Sequence, residues 1–81
     1  MSEEISYQAQ IIISTIKDSI KVNYNEELTN LEVSKIVKKL PNEIIAEGYQ
    51  WGFDDSVVRD NVWVFAKDNY KSILKFKGDL N

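Results

Sequence analysis

One segment of this 81-residue chain marks both ends of a helix: residues 29–41, TNLEVSKIVKKLP. Thr29 and Glu32 have the spacing of a capping box, in which the hydroxyl and the carboxylate each accept a hydrogen bond from a backbone N–H group at the helix start. Apolar residues then recur at helical spacing on one face: Val33, Ile36, Val37 and Leu40. Pro41 ends this helix because it disfavours the α conformation in the residue before it. Pro41 and Asn42 can then open a third, short helix.

The N-terminal stretch has the same helical spacing on one face, formed by Ile5, Ala9, Ile12, Ile13, Ile16 and Ile20. We therefore predict a helix over residues 5–20. The alternative is a β-hairpin within residues 5–24, because isoleucine, valine, threonine and tyrosine favour strands and residues 17–19 can form a turn. That alternative would make the fold α+β.

Residues 48–55, GYQWGFDD, predict a corner between two helices. Gly52 can adopt the left-handed conformation that ends a helix, and Asp54 or Asp55 can cap the next one. Gly48 lies inside the third helix, where substitution by alanine is expected to be neutral or stabilising.

A fourth helix is predicted to follow the corner and to end near residues 67–69. Its predicted buried face is formed by Val57, Val58, Val62, Phe65 and Ala66. A final helical segment before Gly78 carries Tyr70, Ile73 and Leu74. The sequence thus predicts a single all-α domain over residues 1–81, a small compact domain of four or five short helices.

The chain contains neither cysteine nor histidine, so it lacks the commonest general base, the commonest metal ligand and any thiol nucleophile. Glu43 and Glu47 are four residues apart, but a metal site of this size normally recruits histidine as well, and we interpret them as a solvated face. We predict no catalytic residue, no metal and no cofactor. The N-terminal sequence MSEEISYQ is acidic where a signal peptide is basic, and we expect a cytoplasmic protein that does not enter a membrane.

The aromatic residues exceed what so small a core can easily bury, and Trp and Tyr often anchor protein interfaces. Phe53 stands just before the predicted cap and is assigned to the core. The predicted partner-binding residues are Tyr49, Trp51, Asp54, Asp55 and Trp63. The alternative for each aromatic residue among them is a place in the core or at its edge.

Thirteen acidic and ten basic residues give a net charge of -3, which suits a partner with a basic surface. We interpret the chain as a small, acidic, non-enzymatic regulator or inhibitor, of the kind that phages and mobile elements encode. It would mask a basic or nucleic-acid-binding site on another protein. One alternative is a helix-turn-helix-like regulator that approaches DNA with Lys35, Lys38 and Lys39, although the net charge opposes phosphate binding. The other is a structural component that forms homo-oligomers.

Overall fold

A computed structural model of the chain describes the backbone of residues 3–80 and the side chains of residues 7–74. It contains four α-helices: α1 (Glu3–Tyr24), α2 (Asn30–Val37), α3 (Asn42–Trp51) and α4 (Ser56–Leu80). Residues 3–80 form no strand, so the all-α prediction is confirmed and the N-terminal hairpin alternative is wrong. The predicted place of Ile5 in the core lies outside the described side chains.

The two long helices, α1 and α4, run in the same general direction. Three hydrogen bonds show this, because later residues of α1 meet later residues around α4. Gln8 Oε1 accepts from the Phe53 backbone N–H at 2.6 Å. Farther along, the Ser19 hydroxyl donates to the Trp63 carbonyl at 2.8 Å, and the Tyr24 hydroxyl donates to the carbonyl of residue 67 at 2.7 Å. The short helices therefore carry the chain back between these two: α2 packs on both α1 and α4, and α3 packs on α4.

The core lies where α1, α2 and α4 meet. Its most deeply buried apolar side chains, each exposed by 1% or less, are Ile16, Ile20, Val33, Ile36, Val58, Val62 and Ala66. Ser19 is also fully buried among them, and its bond to the Trp63 carbonyl satisfies the hydroxyl. This small side chain and its hydrogen bond hold α1 against α4.

The predicted helix starts are present with their hydrogen bonds. The capping box is confirmed: the Thr29 N–H donates to Glu32 Oε1 at 2.9 Å, and the Glu32 N–H donates to Thr29 Oγ1 at 3.2 Å. Pro41 occupies the N-cap position of α3, as its fixed φ permits. Asp55 caps α4, since its Oδ2 accepts from the N–H groups of residues 57 and 58 at 3.0 and 3.2 Å.

The predicted end of the fourth helix near residues 67–69 is wrong, because α4 continues for 25 residues to Leu80. The polar residues Lys67 and Asp68 lie exposed on the outer face of this helix. The inner face stays packed: the Tyr24 ring lies 4.9 Å from the Tyr70 ring, centroid to centroid. With α1 at 22 residues, two of the four helices are long where short ones were expected.

Two residues assigned to buried faces are exposed. Val57 is 64% exposed because the buried face of α4 runs through Val58 and Val62, and the preceding residue points elsewhere on the helix. Ala9 is exposed although Ile16 and Ile20 of the same stripe are fully buried. The apolar stripe of α1 therefore continues beyond the part that other helices cover.

Candidate protein-binding site

The corner between α3 and α4 is closed by backbone hydrogen bonds around Gly52. Its N–H donates to the Gly48 carbonyl at 2.8 Å, and its carbonyl accepts from the Asp55 N–H at 3.1 Å. Gly52 has φ 93° and ψ 143°, so the predicted positive φ is present. The predicted left-handed helical conformation is wrong, however, because ψ is extended, and this combination of φ and ψ is open almost only to glycine. The corner thus requires glycine at this position.

Phe53 is a core residue, as predicted, with 4% of its surface exposed. Its ring packs directly on Gly48, and a Cβ atom at position 48 would overlap the ring. The expectation that alanine is neutral or stabilising at position 48 is therefore wrong. The sequence indicates only that Gly48 lies in a helix, whereas the approach of the Phe53 ring is a tertiary contact.

Two aromatic side chains of the corner remain at the surface. Trp51 is 63% exposed and Tyr49 is 84% exposed. The Tyr49 ring meets the edge of the Phe53 ring at a centroid distance of 6.4 Å and an interplanar angle of 76°. The three aromatics of the corner are thus divided as the sequence predicts, with Phe53 inside and Trp51 outside.

These aromatics border a groove, the corner groove, between the first half of α1 and the α3–α4 corner. It has a volume of about 650 Å³. Its lining consists of Gln8, Ala9 and Ile12 of α1 together with residues 48–54. Three of the predicted partner-binding residues, Tyr49, Trp51 and Asp54, therefore come together here.

The other two predicted residues lie apart from the corner groove. Asp55 is the cap of α4 and is half-buried. Trp63 is half-buried and lines a separate groove of about 460 Å³ between α1 and α4, next to Arg59. Sequence reasoning missed Gln8 entirely and placed Ala9 in the core. The one sequence feature that indicated the α1 side of the corner groove is the apolar helical stripe that includes Ala9.

The segments that build the corner groove contain acidic residues and no basic ones. Residues 3–16 and 40–58 contain no lysine or arginine, and their carboxylates are Glu3, Glu4, Glu43, Glu47, Asp54 and Asp55. Asp54 is exposed, and the one ion pair among the described side chains joins Lys21 and Glu27 at 3.3 Å. Because α1 and α4 run in the same general direction, both helices start toward the end of the molecule that holds the corner groove.

The structure also locates the residues of the alternative sites. Glu43 and Glu47 are exposed, and the described residues contain no group of three or more Asp, Glu, His or Cys side chains that could hold a metal ion. In the α2–α3 pair, Lys38 and Lys39 are exposed while Lys35 is half-buried. Glu47 Oε1 accepts a hydrogen bond from the Asn61 side chain of α4 at 3.4 Å.

No protein-family model, curated protein or solved structure matches this chain. Within the described residues, no helix has both the length and the apolar character needed to cross a membrane.

Proposed function

We propose that this chain is a small, non-enzymatic, cytoplasmic regulator or inhibitor that binds another protein through the corner groove. The observation that supports this most is the pair of exposed aromatics, Trp51 and Tyr49, in the lining of a groove whose one charged side chain is Asp54. We propose an inhibitor of host proteins of the type that phages and mobile elements encode.

The exposure of Trp51 and Tyr49 supports a role for this aromatic pair as a binding anchor. Trp and Tyr are enriched among the residues that dominate binding energy, because each buries a large area and loses little side-chain entropy. Trp51 ends α3, and the Phe53 ring fills the space next to Gly48. The fold therefore leaves the Trp51 side chain available to a partner.

The charge of this end indicates what the partner surface carries. The exposed Asp54 in the groove lining and the net charge of -3 favour a surface rich in Lys and Arg. Many such surfaces bind nucleic acid, so we propose that the chain masks a basic site of this kind. Opposite charges would also speed the encounter.

The test is affinity capture from extracts of the native host, followed by mass spectrometry and by measurement of the purified pair. Trp51→Ala should lose the partner, whereas Leu31→Ala should keep it. Leu31 is a matched control because it is 62% exposed and lies on α2, away from the corner groove lining.

Masking requires a second measurement. The captured partner should release a bound oligonucleotide when the wild-type chain is added and should not release it when Trp51→Ala is added. A partner that binds both chains equally would contradict the proposal. Capture of nucleic acid alone would favour the DNA-binding alternative, and self-association in sedimentation at several concentrations would favour the assembly alternative.

A further inference from the structure

The apolar stripe of α1 is covered at one end and open at the other. Ile16 and Ile20 are fully buried, Ile12 is half-buried, and Ala9 is exposed. The reason is that α3 packs on α4 and not on α1, so no helix within residues 3–80 covers Ala9 and Ile12 on this side. A hydrogen bond from the Phe53 N–H to Gln8 Oε1, at 2.6 Å, joins this part of α1 to the α3–α4 corner.

We infer that the corner groove receives a short segment of a basic partner protein, which inserts one apolar side chain between flanking Lys or Arg residues. This inference rests on the proposed function and specifies how the partner enters the site. The apolar side chain lies over Ala9 and Ile12 and against Trp51, and it completes the stripe that α1 leaves uncovered.

The charge of the lining selects the flanking residues. Asp54 is the one charged side chain among the residues that line the corner groove, and it is exposed at this end. A Lys or Arg beside the inserted apolar residue pairs with Asp54, and the net charge of -3 favours further cations in the segment. An acidic segment would be repelled by the same groups.

The remaining polar groups of the lining suit a peptide backbone. Gln8 uses its Oε1 atom to hold Phe53, which leaves its side-chain N–H₂ group to donate to a peptide carbonyl. Gln50 is exposed in the same lining and offers both a donor and an acceptor. A volume of about 650 Å³ has the size of sites that hold a few side chains.

Three acetylated and amidated five-residue peptides test the inference: Lys-Lys-Leu-Lys-Lys, Lys-Lys-Ser-Lys-Lys and Glu-Glu-Leu-Glu-Glu. Binding to the full chain is measured at low salt from the backbone amide chemical shifts of residues 8–12 and 48–54. The lysine–leucine peptide should bind at least about tenfold more tightly than either of the others, because each of them lacks one of the two required features. Equal affinities for the three peptides, or no shifts at these residues with the lysine–leucine peptide, would overturn the inference.

Two alanine positions give a matched pair of variants. Ala9 and Ala46 are both exposed and helical, but only Ala9 lines the corner groove. Ala9→Trp fills the groove and should weaken the lysine–leucine peptide at least about tenfold, while Ala46→Trp should leave its affinity within about twofold. Asp54→Asn should weaken the same peptide and reduce its salt dependence. Unchanged binding by Ala9→Trp would overturn the inference.

The two proposals can fail separately. A partner protein that needs Trp51 but binds Ala9→Trp as well as wild type would use the exposed aromatics without entering the groove. That result would overturn the insertion and leave the proposed function standing. A partner that needs neither Trp51 nor an open groove would overturn both.

Discussion

Asp54 and Asp55 are adjacent carboxylates with different structural roles. Asp55 accepts hydrogen bonds from two N–H groups at the start of α4, whereas Asp54 lies exposed in the lining of the corner groove. Asp55→Ala should therefore lower the free energy of unfolding by about 1 kcal/mol. Asp54→Ala should change it by less than about 0.5 kcal/mol. Urea denaturation measures both, and equal losses would contradict the assignment of the cap.

The two glycines of the corner are both required, for different reasons. Gly48→Ala forces a Cβ atom into the Phe53 ring and should cost about 1–3 kcal/mol. Gly52→Ala should cost about 1–3 kcal/mol because φ is 93°. Gln50→Ala is the control, since Gln50 is exposed in the same helix and alanine favours helices. If Gly48→Ala and Gln50→Ala have the same melting temperature, the Phe53 ring does not pack on position 48.

At the residue scale, the sequence predicts helix caps and turns but not the contacts between distant parts of the chain. The capping box, the start of α3 at Pro41 and the positive φ of Gly52 follow from backbone chemistry within a few residues, whereas α2 ends at Val37, earlier than the predicted end at Pro41. The contact of Phe53 with Gly48 and the bond from Phe53 to Gln8 join parts of the chain whose relative placement no local pattern specifies.

At the scale of the elements, α4 shows why helix ends are hard to place from polarity alone. Lys67 and Asp68 interrupt the apolar pattern, but polar residues also occupy the outer face of any amphipathic helix. Neither residue is a helix terminator in the way that proline is. Contacts from α1, such as the bond from the Tyr24 hydroxyl to the carbonyl of residue 67, keep this stretch packed.

Comparing alanine with glycine tests the continuity of α4. At position 68, inside the helix, Asp68→Ala should be more stable than Asp68→Gly by about 1 kcal/mol. At Asn25, whose φ is 57°, the order should reverse, with Asn25→Gly more stable than Asn25→Ala by about 1 kcal/mol. Thermal unfolding of the four variants measures both differences. Glycine as stable as alanine at position 68 would mean that the helix ends there.

The relative direction of α1 and α4 could not be predicted from the sequence either. Periodicity identifies which face of α1 and α4 is apolar, but a face can pack equally well on a parallel or an antiparallel neighbour. The parallel arrangement depends on α2 and α3 returning the chain between them, and on bonds such as that from Ser19 to the Trp63 carbonyl. Trp63 consequently lines a different groove from Trp51, although both were predicted to bind the partner.

At the scale of the whole molecule, the parallel direction of α1 and α4 sets the electrostatics of the corner groove. The partial positive charges at the starts of the two helices point the same way, and Asp55 caps the start of α4. Asp54 lies in the same groove lining as the exposed Trp51 and Tyr49, and the chain has a net charge of -3. Association with a basic partner should therefore slow as salt rises, and Asp54→Asn should flatten this dependence. Association rates that do not change with salt would contradict electrostatic steering.

The central claim is that the corner separates stability from binding, with Phe53 serving the fold and Trp51 serving the partner. Phe53→Ala should lower the free energy of unfolding by about 3 kcal/mol or more, and Trp51→Ala should lower it by less than about 1 kcal/mol. The most direct test is the dissociation constant of folded Trp51→Ala for the captured partner, measured by calorimetry beside wild type. We predict a loss of about 2 kcal/mol or more, which is roughly thirtyfold. An unchanged dissociation constant, or a Trp51→Ala variant that unfolds as Phe53→Ala does, would contradict the account.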